Sequence, residues 1–192
     1  MPYPVGGLFE DLQRVIRSHS VEVRLEEMDV EKPGVFDGPS ITINPVHDRE
    51  ACCYYLAHSF GSIHQWSSDF GHARKVFDDL RAAKRHPRIG FEVALEQWRR
   101  FEEVPSEHAV WLFGELGHPG AVDPYTVFFR ADLEAMTVFH RTGKEPPWPE
   151  FFDAWKEGVA RGSIRIEPFE PRPIAPFTPV RIEPQEVLQA HD

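Results

Sequence analysis

The chain alternates between stretches of helical periodicity and short stretches of strand periodicity. Leu8, Leu12, Val15 and Ile16 recur at three- and four-residue intervals and predict a first helix over 7–18. Val21-Glu22-Val23-Arg24-Leu25 alternates apolar and polar positions, the period of a half-buried strand. The segment EKPGVFDGPS, dense in Pro, Gly and Asp, predicts a turn or short hairpin. Residues 40–44 read as a further strand, with Ile41 and Ile43 on one face and Pro45 ending it.

His47-Asp48-Arg49-Glu50 opens the next helix, with Asp48 as its N-cap and acids near the positive end of the helix dipole. That helix runs through Tyr54, Tyr55, Leu56, His58, Phe60 and Ile63 to about Trp66. Asp69 caps a further helix that reaches about Lys84 and is broken by His86-Pro87. Residues 89–116 are helical in pattern. Pro105 is predicted to split or kink them, because proline lacks a donor and crowds the preceding turn. Ser106 would then cap the second half. GHPGAVDP reads as a loop, 124–142 as a helix with Gly143 at its C-cap, and 150–160 as a last helix stopped by Gly162.

From Ser163 the pattern is lost. Six prolines between 168 and 184 exclude a helix and predict an extended arm, either solvated or docked on the body or on a partner. The fold expected is α+β. A small N-terminal β-sheet packs against several helices, and the C-terminal half is helix-dominated. Residues 1–162 form one globular unit and 163–192 a proline-rich arm.

Composition narrows the function classes. Apolar residues make up 41% of the 192 and aromatics 12%, enough for a core. A net charge of −10 gains nothing from releasing phosphate counterions, so nucleic acid is not an expected partner. The cluster Arg74, Lys75, Arg81, Lys84, Arg85 and Arg88 is a local exception. No apolar run approaches the ~18 residues of a membrane span, and the N-terminus lacks a signal-peptide pattern. The adjacent Cys52 and Cys53 cannot staple distant parts of a fold and read as reduced, packed thiols. A cytoplasmic location is expected.

The strand–turn–helix ITINPVHDREACCYYLAHSFGSIHQW carries the candidate chemistry. A zinc peptidase places two imidazoles at i and i+4 of a helix and a glutamate at i+1 as general base. The order VEVRLEEM, GVFDGPSITINP, YYLAHSFGSIHQW resembles the N-terminal half of an ImmA/IrrE-type metallopeptidase domain, over about residues 20–117. Ile41-Thr42-Ile43-Asn44 matches that family's strand and Leu56-Ala57-His58 the start of its motif helix. Gly61 matches its small residue at a close helix contact. The resemblance implies a zincin-like fold, His58 as a metal ligand and Glu102, with Ala109 seven residues on, as the acidic ligand. Pro105 stands where the family has alanine.

The departures bear on activity. Ser59 occupies the general-base position and Ser62 that of the second histidine. A serine hydroxyl does not take a proton from bound water at neutral pH, and it ligates zinc poorly. His64 lies six residues after His58, a rotation of about 240° on a helix, and would join it only if the helix distorts at Gly61. His47 and His108 are further candidates. The bland alternative makes His58 a hydrogen-bonded core histidine, and Tyr54, Tyr55, Phe60 and Trp66 core aromatics.

Three functions remain open. One is a catalytically impaired metallopeptidase-like protein, with no cofactor expected, whose groove binds a protein or peptide segment in a regulatory setting. Another is an active metal-dependent hydrolase whose zinc is held by rearranged ligands, His58 with Glu102 and His64 or His108. The last is a structural or interaction protein of other ancestry.

Overall fold

The computed structural model describes residues 6–28, 33–86, 90–144 and 147–182. The expected break at Pro87 and the arm beyond Ile182 lie outside them. Helix α1 (Leu8–Ser18) leads into a sheet of β1 (Glu22–Leu25), β2 (Gly34–Phe36) and β3 (Ser40–Ile43). Helices α2 (Arg49–Ser68), α3 (Phe70–Arg85), α4 (Phe91–Glu115), α5 (Val122–Thr142) and α6 (Trp148–Ala160) follow, with a 3-10 turn over Pro119–Ala121 before α5. The fold is α+β and helix-dominated.

The strand order is β1-β3-β2. β1 runs parallel to β3, Val23 facing Ile41, and β2 pairs antiparallel with β3, Phe36 facing Ile41. The segment read as a turn or hairpin therefore supplies a strand of its own. Val23, Ile41 and Ile43 are buried on one face, as their alternation requires.

The helix caps follow the sequence closely. The Asp48 carboxylate accepts from Ala51 N–H at 2.8 Å, and that of Asp69 from His72 N–H at 3.0 Å. Both satisfy donors that a helix start leaves unpaired. Gly143 closes α5 at φ 68, a left-handed conformation that glycine adopts without strain.

α2 is the central helix. Its buried positions lie on every side, because α1 and the sheet cover one flank while α4 and α5 cover the other. Tyr54, Phe60 and Trp66 are core residues, and Tyr55 is half-buried. One apolar cluster joins Leu8, Leu12, Ile16, Ile41, Leu56, Phe60, Phe113 and Tyr125. Another gathers Trp66, Phe77, Leu80, Trp98 and Phe101 at the far end of α2.

Pro105 does not split α4. The helix is continuous from Phe91 to Glu115, and Ser106 is a buried interior residue rather than a cap. Proline at 105 cannot donate to the carbonyl of Phe101, four residues back. The Gln65 side-chain amide donates to that carbonyl instead, at 3.0 Å from α2. The lost backbone bond is thus replaced across the helix–helix contact. Beside it, a Cβ built on Gly61 would stand 2.5 Å from Pro105 O and 2.9 Å from Pro105 Cα. The proline and the glycine form one crossing point.

Residues 165–182 form neither helix nor strand and lie against the body. Phe169 and Ile182 are buried at 4% and 1% exposure, so this stretch is not a solvated tail.

Candidate functional site on the central helix

His58 sits at the junction of α2, α4 and α5. Its ring stacks on Phe129 at 4.0 Å between centroids and 11° between planes. Its Nδ1 faces the Tyr125 hydroxyl at 3.4 Å and Ser106 Oγ at 3.3 Å. Its Nε2 points at Glu102 Oε2, 3.8 Å away. Burial holds the Tyr125 phenol well above its ordinary range, while its bond with Ser106 acts in the opposite sense. The Tyr55 hydroxyl is raised for the same reason, and Ser59, fully buried, lies beside it. Ser62 turns back on its own helix, its hydroxyl donating to His58 O at 3.2 Å.

The structure thus brings His58 and Glu102 together and leaves His64 elsewhere. His64 Nδ1 is 3.0 Å from His108 Nε2, and His108 Nδ1 is 2.9 Å from the carbonyl of Arg172. A helix that continues through Gly61 keeps His64 turned away from His58, as its six-residue spacing dictates. His47, one residue ahead of the Asp48 cap, joins neither group.

The donor set does not fit a zinc centre. Such a site takes at least three protein ligands. Here the converging pair is His58 Nε2 and Glu102 Oε2, and the Ser62 hydroxyl is committed to a carbonyl. Among the described residues no three His, Cys, Asp or Glu side chains are grouped so that they could hold a metal ion. Compared with protein-family models, with curated proteins and with solved structures, the chain matches none. Among the described residues, no helix is long and apolar enough to cross a membrane.

The His64–His108 pair has a defined proton arrangement. A carbonyl only accepts, so His108 donates to Arg172 O from Nδ1, leaving the Nε2 lone pair of its neutral ring to accept from His64 Nδ1–H. Burial first, then the neighbouring His108 and His19, lower the His64 pKa from 6.5 to about 4. Burial also lowers that of His108. Between pH 6.5 and about 4 the unfolded chain holds the extra proton on His64 and the folded chain does not. Stability therefore falls as pH drops through this window, by roughly 3 kcal/mol for His64 alone. Urea unfolding of the parent at pH 7 and pH 4 should show this loss. His64→Gln should remove that part of it, and an unchanged pH slope in the variant would refute the assignment.

Three features lay outside the sequence reading. Tyr125 and Phe129 surround His58 from α5, at i and i+4, a spacing that also serves plain core packing. Ser106 reaches His58 because α4 continues past Pro105. Arg172 and Phe177 come from the arm. Phe177 packs against His64 at 5.1 Å and Phe60 at 5.8 Å and stacks on His19 at 5.6 Å. The prolines leave a solvated and a docked arm open, and the aromatic residues Phe169 and Phe177 are the further signal that favours docking.

The arm is held along its length by polar contacts. Arg172 N–H donates to Glu107 O at 3.1 Å, and Arg172 Nε pairs with Glu107 Oε2 at 2.7 Å. Val180 N–H donates to Ser67 Oγ at 3.2 Å, and Ile182 N–H to Asp37 O at 2.9 Å. The Arg130 guanidinium lies 4.1 Å over the Phe169 ring and donates to Glu167 O at 3.2 Å. The face of α2 and α4 beyond His58 therefore grips an extended polypeptide by its backbone and its side chains.

Proposed function

We propose that this chain is a catalytically silent, zincin-like protein whose groove along α2 and α4 binds an extended protein segment. The observation that carries the reading is the seat of residues 165–182. The body already recognises an extended, proline-rich stretch through main-chain bonds to Glu107, His108, Ser67 and Asp37. Main-chain bonds supply affinity in such recognition and side-chain pockets supply selectivity. Silence is supported by the serines at 59 and 62. Ser59 is buried without an acidic or basic group to offer, and Ser62 is bonded to its own helix. A hydrolase with rearranged ligands would need His64 or His108 to join His58 and Glu102. Both are engaged with each other and with the arm.

Native mass spectrometry tests both halves at once. The untagged full-length chain carrying Arg172→Glu, which loosens the arm at Glu107, is mixed with a synthetic peptide of residues 165–182. The expected spectrum shows a chain free of zinc and a one-to-one peptide adduct. Stoichiometric zinc that His58→Ala removes would overturn the silent reading, and absence of the adduct would remove the groove.

A further inference from the structure

The arm fits its groove incompletely. Beside Ile174 an open cleft of about 230 Å³ is lined by Val15, His19, Phe60, Trp111, Leu112 and Leu116, with the carboxylate of Glu115 at the end of α4 also on its wall. Ile174 is half-buried at its edge. Apolar space of about 150 Å³ suffices for a benzene ring. The cleft is thus larger than the aliphatic side chain that reaches it, and Trp111 offers it an aromatic wall. Two residues earlier, Arg172 meets Glu107, whose carboxyl burial holds above its usual range while Arg172 counters that shift. The groove therefore presents an acid and, two residues further along the seated chain, an underfilled aromatic cleft.

The backbone requirements are also explicit. Donors are used at residues 172, 180 and 182, none of them proline, whereas Pro171, Pro173, Pro176 and Pro179 stand where no donor bond to the body is made. Proline at those positions keeps the segment extended at little entropic cost.

We propose that the groove filled by residues 168–182 is the binding site for an extended, proline-rich segment of a partner protein. That segment carries a basic residue two positions ahead of a large aromatic one. The proposal rests on the reading of the groove as a protein-binding site and specifies its ligand. The chain's own arm is the weaker occupant. It holds the acid and the backbone positions and leaves the cleft underfilled. Two observations select this occupant. The Glu107–Arg172 pair shows that this position takes a cation, which a partner segment must match, and the cleft that Ile174 only edges is continuous with the surface on which the arm lies. A tethered arm competes at an effective concentration of the order of millimolar, so a partner must exceed it in contact quality at the cleft.

The test uses the full chain with Arg172→Glu and two fluorescein-labelled peptides. One has the sequence of residues 168–182. The other differs only by Ile174→Trp. Fluorescence anisotropy should show the tryptophan peptide binding about 10-fold more tightly, the gain from one further buried aromatic ring. Leu116→Glu in the chain, which replaces an apolar wall of the cleft with a second carboxylate beside Glu115, should erase that difference while leaving the first peptide's binding in place. Equal affinities would overturn the aromatic requirement and leave the groove reading intact. Absence of binding by either peptide, both here and in a chain that also carries Phe177→Ala, would overturn both. Concentration-dependent dimerisation of the chain that neither peptide reverses would make a second copy the occupant and overturn the proposal. Should Arg172→Glu fail to melt cooperatively, Phe177→Ala loosens the arm instead and the same comparison applies.

Discussion

Replacing Gly61 with valine is expected to lower the stability of the fold by about 4 kcal/mol, among the largest effects a single substitution has. The Cβ would stand 2.5 Å from Pro105 O, and the contact is backbone against backbone, so no flexible side chain can give way. The helices must separate or α4 must shift. Separation would also stretch the Gln65 bond to Phe101 O, which compensates the donor that Pro105 lacks. Valine adds two methyl groups and a restricted rotamer to that clash. Alanine should cost roughly half as much, because its better helix propensity returns about 1 kcal/mol. Denaturant unfolding of parent, Gly61→Ala and Gly61→Val checks the series. A valine variant within about 1 kcal/mol of the parent would show that α2 and α4 do not cross so closely.

The same crossing separates what the sequence makes legible from what it does not. Periodicity and caps are local, and they located every helix. Asp48, Asp69 and Gly143 act where the sequence places them because a cap needs only its own next few residues. The split expected at Pro105 does not occur, because its missing bond is replaced from 40 residues away, by Gln65, and no local pattern records that. The residues of β2 carry only the signal of a turn or hairpin. Three residues, one of them glycine, carry too little alternation to mark a strand.

The candidate site divides along the same line. The rotation between His58 and His64 follows from helix geometry alone, and the structure keeps them apart as that geometry requires. Their actual partners follow from packing. His64 meets His108 from α4, and His58 meets Tyr125 and Phe129 from α5, at sequence separations of 44 and about 70 residues. The resemblance to an ImmA/IrrE-type domain pointed to Gly61 as a close-contact residue and to Glu102 as the acid near His58. Both positions take part in such contacts. The ancestry itself remains a proposal, because a glycine crossing and a His–Glu pair occur in unrelated folds.

Ending the chain at Glu167 is expected to cost of the order of 4 kcal/mol relative to a chain ending at Ile182, a fall in Tm of about 10 °C. The comparison isolates residues 168–182, since both chains lack the last ten. Phe169 and Ile182 are almost wholly buried, and a fully buried side chain of this size contributes about 1.5–3 kcal/mol. Ile174, Phe177 and Val180 add partial burial. They also cover Phe60, His64 and Trp66 on α2, whose exposure adds to the loss. Against this stands the entropy regained by fifteen freed residues, which is reduced because five of them are proline and already restricted. The balance leaves an arm that is part of the fold in stability yet joined to it by few main-chain bonds. Such an element opens below the global unfolding energy. Hydrogen exchange distinguishes this from a rigid strap. The amides of Arg172 and Val180 should exchange faster than those of α2 around Phe60, with Phe177→Ala widening the gap. Equal protection in arm and helix would mean that the arm leaves only when the whole chain unfolds, and a groove occupied that firmly could not exchange its occupant.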